Sequence, residues 1–249
     1  EVFMEYKKQI VAFDAANIIN LSLVMFLLSY TLFSILNIFV FDFRSAVTGK
    51  FFIDLIVVIA LGFLFVIVHE LLHALGFIIF GKAKPSDIKF GVVPKHGMVY
   101  CSCKKPMPKK AYMLALIFPV ILTGLIPIIF VTIWGNLIWI FLFAVMVSGG
   151  AGDLMMFKSL TKYDKDQLIM DHPNAPAYYL LYPKGQEPEG FVEATPEQEQ
   201  FLIEQMKTSP FEGENKKKNL ALKILKILFF LAASVIVLTV VGVILFLSR

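Results

Sequence analysis

Long unbroken apolar stretches dominate the pattern of this chain. They cover roughly residues 18–41, 52–80, 112–134, 137–157 and 222–247. Each is long enough for a helix to cross the hydrocarbon of a bilayer, which takes about 20 apolar residues. A helix that is apolar all round is either a membrane span or the core helix of a large protein. A chain of 249 residues is too short to bury five such helices. The pattern therefore predicts an all-α polytopic membrane protein with about five transmembrane helices. Two longer polar intervals interrupt it, 81–111 and 158–221.

Composition agrees. The chain is 58% hydrophobic and 17% charged, with a mean hydropathy of +0.76, less charge than a soluble domain carries. The loop 81–111 holds eight lysines, Lys82, Lys84, Lys89, Lys95, Lys104, Lys105, Lys109 and Lys110, against Asp87 alone. The positive-inside rule places such a loop in the cytoplasm. The N-terminus then lies inside, 42–50 outside, 158–221 inside and the C-terminus outside. Lys158 and Lys216–Lys218 flank helix ends on the inner side, as do Lys223 and Lys226 near the start of the last helix. Arg44 and Lys50 fall outside and count mildly against. The expected location is a cell membrane, crossed several times. Lysine outnumbers arginine 21 to 2, which fits a bacterial source. The first apolar run is too long for a signal peptide and shows no cleavage site. A net charge of +4 gives no reason to expect a nucleic-acid partner; the expected partners are the lipid bilayer and a membrane-spanning or membrane-adjacent peptide substrate. Oligomeric state is left open.

The organisation follows: a membrane domain over 1–158, a small acidic cytoplasmic region over 159–219, and a C-terminal transmembrane helix over 220–249. The stretch 87–103 alternates loosely around Pro94-Lys95-His96-Gly97 and predicts a cytoplasmic β-hairpin. "DHPNAPAYYLLYP" (171–183) predicts a strand between turns. "TPEQEQFLIEQMK" (195–207) predicts a helix, with Thr195 as N-cap, Pro196 at the first position, and Glu197 and Glu199 on the favourable end of the dipole. Phe201, Leu202 and Met206 would form its apolar face. Residues 159–215 carry a net charge of −7, so opposite charge favours docking of this region on the basic loop; a solvated acidic face is the alternative.

The candidate chemistry sits inside an apolar run. "VIVHELLHALGF" (66–77) contains His69, Glu70 and His73. Ionisable groups in a membrane helix cost about 2.5–3.5 kcal/mol each on insertion scales, so they mark function by default. His69 and His73 are one helical turn apart on one face. Two imidazoles so placed can share a zinc ion, with Glu70 as general base on a metal-bound water, the H-E-x-x-H arrangement. A catalytic zinc needs a third protein ligand. Residue 79 is Ile, so the extended motif with a third histidine is excluded. Asp153 in "VSGGAGDLMMF" (147–157) is the only charged residue between Lys110 and Lys158. Gly149, Gly150 and Gly152 precede it, so a second helix can approach closely or the backbone can unwind. His73 and Asp153 lie about 13 Å and 7 Å from the lysines at the inner ends of their helices. Two parallel helices can therefore bring His69, His73 and Asp153 to one metal.

These residues resemble the site-2 protease family of intramembrane zinc metalloproteases. The full layout resembles more closely a zincin peptidase family of bacterial membrane proteins. The resemblance covers roughly 60–183 and is carried by "HELLHALGF", the hairpin loop, "LALIFP" (114–119), "GDLMMF" (152–157) and "DHPNAPAYYLLYP". It implies peptide-bond hydrolysis in or next to the membrane by a zinc metallopeptidase, with Glu70 catalytic and Zn2+ as cofactor. "GGAGDL" differs from the site-2 protease pattern around its aspartate. The alternative is a non-proteolytic scaffold or cation transporter with a structural or transported metal; a third reading differs only in cutting soluble cytoplasmic peptides. His96 and His172 read as solvated loop histidines, although the loop holding His172 could fold back over the site. Cys101 and Cys103 are too close for an unstrained bridge and show no partners for a metal. Asp54 lies about 22 Å from His69 along a helix. Pro119 and Pro127 should kink the third helix.

Overall fold

Four of the five apolar segments form the expected membrane-length helices in the computed structural model, which describes residues 5–41, 51–93, 98–134, 137–173 and 175–207. The fifth segment, the loop 42–50, His96 with the hairpin turn, and the turn at 135–136 lie outside the described residues. Helix α1 (Ala15–Val40) starts where Asp14 Oδ1 accepts the Ala16 N–H at 2.9 Å. Helix α2 is Phe51–Ile79. The third span is a rod in three pieces: α3 (Lys109–Pro119), a π-helical segment (Val120–Leu125) and α4 (Ile126–Trp134). The expected proline disturbance takes this form. Pro119 ends α3, and the ladder widens so that the Ile126 N–H reaches Ile121 O. Pro127, which has no N–H, follows at once. The fourth span breaks at Gly150 into α5 (Leu137–Gly149) and α6 (Ala151–Leu160). All four spans are long and apolar enough to cross a membrane. Phe63, Ile67, Leu28 and Phe39 are among their many exposed apolar side chains, far more than the surface of a soluble monomer carries.

The fold is mostly helical but not all-α. Strands β1 (Tyr6–Ala12), β4 (Met107–Pro108), β5 (Leu168–Asp171) and β6 (Ala177–Pro183) make an antiparallel sheet in the order β1-β6-β5-β4. The run 171–183 is thus the second half of a hairpin and not a lone strand. Strands β2 (Ile88–Val93) and β3 (Met98–Cys103) pair as the expected hairpin. β1 has no clean alternation, and its register partners run from Ala12↔Ala177 to Tyr6↔Pro183, far away in sequence, so nothing local marks it. Strands from both sides of residue 158 share one sheet.

All the span connections to these strands lie at one end of the bundle. α1 follows β1, α2 leads to β2, α3 follows β4, and α6 leads to β5. Tyr112 knits the two layers together: its ring stacks on Phe77 of α2 at 5.9 Å and meets Tyr178 of β6 edge-on at 6.3 Å. Deeper in the bundle, Asn37 Nδ2 donates to Thr132 O at 2.7 Å, the kind of polar bond that holds membrane helices together.

The acidic segment finds a different partner from the one its charge suggests. Among the described residues, Glu187 and Glu193 pair with Lys7 of β1, at 3.6 and 3.4 Å, and Lys184 pairs with Glu5 at 2.8 Å. The basic loop meets 159–215 through backbone pairing of β4 with β5. Helix α7 (Pro196–Lys207) begins as expected: Thr195 Oγ1 accepts the Gln198 N–H and Gln198 Oε1 accepts the Thr195 N–H, a reciprocal capping box. Phe201 is exposed and does not anchor it.

Two glycines in the break between α5 and α6 differ in what surrounds them. A Cβ on Gly150 would sit 2.7 Å from Val120 Cγ2, whereas one on Gly149 meets nothing within 4 Å. Gly150→Val should therefore overpack the contact and cost about 1–3 kcal/mol. Thermal unfolding in detergent should show a lower Tm for Gly150→Val than for Gly149→Val. Equal losses would refute this packing.

Candidate metal centre

The buried face of α2 carries His69, His73, Gly76 and Phe77, while Val66, Ile67, Leu71 and Leu75 are exposed. That spacing is one helical face. His69 and His73 are 7% and 6% exposed. Gly76 lets α3 come close: a Cβ there would lie 3.0 Å from Ala115 Cα. The approach puts Ala115 O at 3.1 Å from His73 Nδ1. A carbonyl only accepts, so His73 Nδ1 carries a hydrogen.

His69 is fixed from the π segment. Its Nδ1 lies 3.0 Å from Thr123 Oγ1, and the Thr123 hydroxyl donates to Pro119 O at 2.8 Å. With its proton so committed, the hydroxyl accepts from His69, and Nδ1–H is again the donor. A neutral imidazole then has its lone pair on Nε2. Both Nε2 atoms face one carboxylate: His69 Nε2 is 3.2 Å from Asp153 Oδ2, and His73 Nε2 is 3.2 Å from Asp153 Oδ1. Asp153 sits in the first turn of α6, just past the break at Gly150, where the helix dipole favours an anion.

At that distance two lone pairs repel unless a proton or a metal cation lies between them. The donor set suits zinc. A tetrahedron with ligand bonds of about 2.0–2.1 Å has edges of about 3.3 Å, close to the measured separations. The three ligand atoms all lie within 4.8 Å of one another. His69, His73 and Asp153, singled out by the sequence, thus come together across α2 and α6. Glu70 lines the same cavity, close to the backbone N–H of Cys101 on β3.

The cavity is about 330 Å³ and mostly apolar, with Val66, Leu116, Val145 and Met146 in its walls. It also holds residues the sequence reading did not select. Asp171 accepts the Tyr112 hydroxyl at 2.8 Å and the Cys103 N–H at 3.4 Å; burial pushes its carboxyl up to about 7, against the pull of those two bonds. His172 is buried and not solvated; its ring lies on Tyr179 at 5.3 Å, and burial lowers its pKa. It does line the cavity but is not in the ligand cluster. Cys101 and Cys103 also stand apart from that cluster, and burial raises both thiols. Asp54 lies in the first turn of α2, far from the site. Thr123 had one sequence signal: it and Thr132 are the only hydroxyl side chains between Tyr112 and Ser148.

These features describe a membrane-capable helical bundle in which two histidines and one carboxylate lie close enough together to hold a metal ion, with a glutamate in the same cavity. Comparison with known proteins agrees. Residues 62–168 match the family described as "Putative zincin peptidase", the family the sequence resembles. A zincin family implies zinc as the cofactor. An uncharacterized 24.7 kDa protein encoded in the gap 5' region of Pyrococcus woesei is 31% identical over 111 residues, 43% of this chain and 48% of that protein. The chain thus spans about half the length of this curated relative. No solved structure gives a significant match.

The tautomer argument makes Thr123 a metal-site residue. Loss of a partner that orients a ligand typically lowers metal affinity about 10–100-fold. Thr123→Val should show that loss in chelator competition, and Thr123→Ser should not. Unchanged affinity in Thr123→Val would remove Thr123 from the site.

Proposed function

We propose that this protein is a membrane-embedded zinc metallopeptidase that hydrolyses peptide bonds in or next to the membrane. The observation that carries the reading is the pair of Nε2 lone pairs held against Asp153 inside an apolar bundle, with Glu70 on the adjoining helix position. Zinc held by His69, His73 and Asp153 supplies a Lewis acid that polarises a carbonyl and acidifies water. Glu70 takes the proton of the attacking water and returns it to the leaving amine. The Cys101 N–H lies close to its carboxylate. The mechanism resembles that of site-2 protease-like enzymes, with the strand layer on the cytoplasmic side by the lysine distribution.

Strand β3 supports a way to hold the peptide. Lys104 N–H pairs with Asp87 O at 2.9 Å, which extends the hairpin register. By alternation, Ser102 and Tyr100 also turn their backbone toward β2. Val99, Cys101 and Cys103 turn theirs the other way, and Val99 and Cys101 line the cavity. A membrane-spanning substrate has its carbonyls paired in a helix and must unwind to be cut. Addition to the β3 edge would replace those bonds.

The competing reading, a scaffold or cation transporter, has no need of a base at residue 70. Glu70→Gln should retain zinc and lose about 100- to 10,000-fold in peptide hydrolysis. Retained zinc with full hydrolysis would end the Glu70 assignment, and absence of hydrolysis in the parent would favour the scaffold or transporter. Val99→Pro should slow cleavage with zinc content unchanged, because it removes an edge N–H; unaffected cleavage would argue against strand addition.

A further inference from the structure

The cavity contains a second carboxylate that this hydrolysis does not use. Asp171 ends β5 and lines the cavity shared by the metal ligands and Glu70. Its two recorded donors, the Tyr112 hydroxyl and the Cys103 N–H, are neutral. Among the described residues Asp171 makes no ion pair. A carboxylate has about four acceptor positions, so two neutral donors leave room for another. A buried carboxylate without a counter-charge is stabilised by any cation that reaches it. Among the described residues no lysine or arginine pairs with it, and the candidate metal ligands in the same cavity are occupied with Asp153.

The register of β3 indicates where a cation would come from. Glu70 lies close to the Cys101 N–H, and Asp171 takes the Cys103 N–H. The two carboxylates therefore lie along one strand edge, two residues apart, or about 7 Å at extended rise. A peptide laid along the same edge has the same repeat. When its scissile bond lies at Glu70, a group one or two residues away lies at Asp171. Asp171 also occupies the next N–H of the edge, so strand pairing stops there and the peptide must end or turn.

We propose that Asp171 is a cation subsite of the peptide cleft, taking an ammonium or guanidinium group one or two residues from the scissile bond. The substrate class is then a peptide with Lys or Arg beside the cut, or with its free amino terminus there. The proposal rests on the metallopeptidase reading for the identity of the cleft.

The test uses the full zinc-loaded chain in nanodiscs, in a Glu70→Gln background so that peptides bind uncut. Fluorescent peptides of one sequence carry Lys or norleucine at each position, with the amino terminus free or acetylated. One cation should tighten binding about 10- to 100-fold, and Asp171→Asn should abolish that ratio. Asn still offers an acceptor to Tyr112 and Cys103. Tyr112→Phe removes one of these bonds without removing charge and should keep the ratio. Sensitivity to acetylation identifies the terminus as the cation; sensitivity to norleucine identifies the side chain. Equal affinity for all peptides, an unchanged ratio in Asp171→Asn, or no binding at millimolar peptide overturns the subsite. Parallel cleavage assays with Glu70 intact separate the two ideas. Cleavage without cation preference ends the subsite and leaves the peptidase. Cation-selective binding without any cleavage leaves the subsite and ends the peptidase.

Discussion

Two imidazole lone pairs and one carboxylate point at each other across 3.2 Å in the middle of an apolar bundle. In water such a cluster would disperse or protonate. Inside helices it must be held, and the protein is arranged to hold it. Each histidine gives its Nδ1–H to an acceptor that cannot reciprocate, so neither ring can turn its lone pair away. The remaining repulsion is relieved by a proton on Nε2 or by a metal ion, and the donor set is one that suits zinc.

Both anchors come from a single rod, α3 with its π segment. Ala115 serves His73 and Thr123 serves His69, from opposite ends of the disturbance set by Pro119 and Pro127. Gly76 sets how near the rod comes to α2, and Gly150 lets it meet the break that starts α6. The strand layer then closes the cavity from the side where all four spans connect. Glu70, in the same cavity, lies against this layer near Cys101. The geometry of the three clustered side chains is thus a property of the bundle, while the surroundings of Glu70 include the hairpin.

The sequence revealed the parts whose signals are local. Charge in apolar surroundings exposed His69, Glu70, His73 and Asp153, and topology alone put them within reach of one another. Length and hydropathy gave four helices at nearly their true bounds. What stayed hidden depends on distant pairing. β1 finds β6 from the other end of the described chain, so an all-α reading missed a four-stranded sheet. Lys7 captures Glu187 and Glu193, while the acidic segment meets the basic loop by strand pairing, so its contact with that loop does not run through the charges the sequence shows. Asp171 and His172 looked like turn residues because their burial is created by helices far away in sequence. Thr123 looked like a neutral interruption, since only the position of α2 shows what its hydroxyl accepts.

The π segment has a consequence for the length of its helix. Ala115 and Thr123 are eight residues apart, and at about 100° per residue a straight α-helix would leave them about 80° out of phase. A turn closed from i to i+5 holds one residue more than an α turn and takes up most of that angle. Deleting any one residue between 120 and 125 would remove the wide turn and leave a rod of α-helical phase, still apolar and still able to span a bilayer, with only the bond missing at Pro127. It would then face α2 with one of its two acceptors and carry the other round toward a different neighbour. Exchanges of one aliphatic residue for another leave this phase untouched, whereas a change of a single residue in length does not. The span is counted as well as greasy.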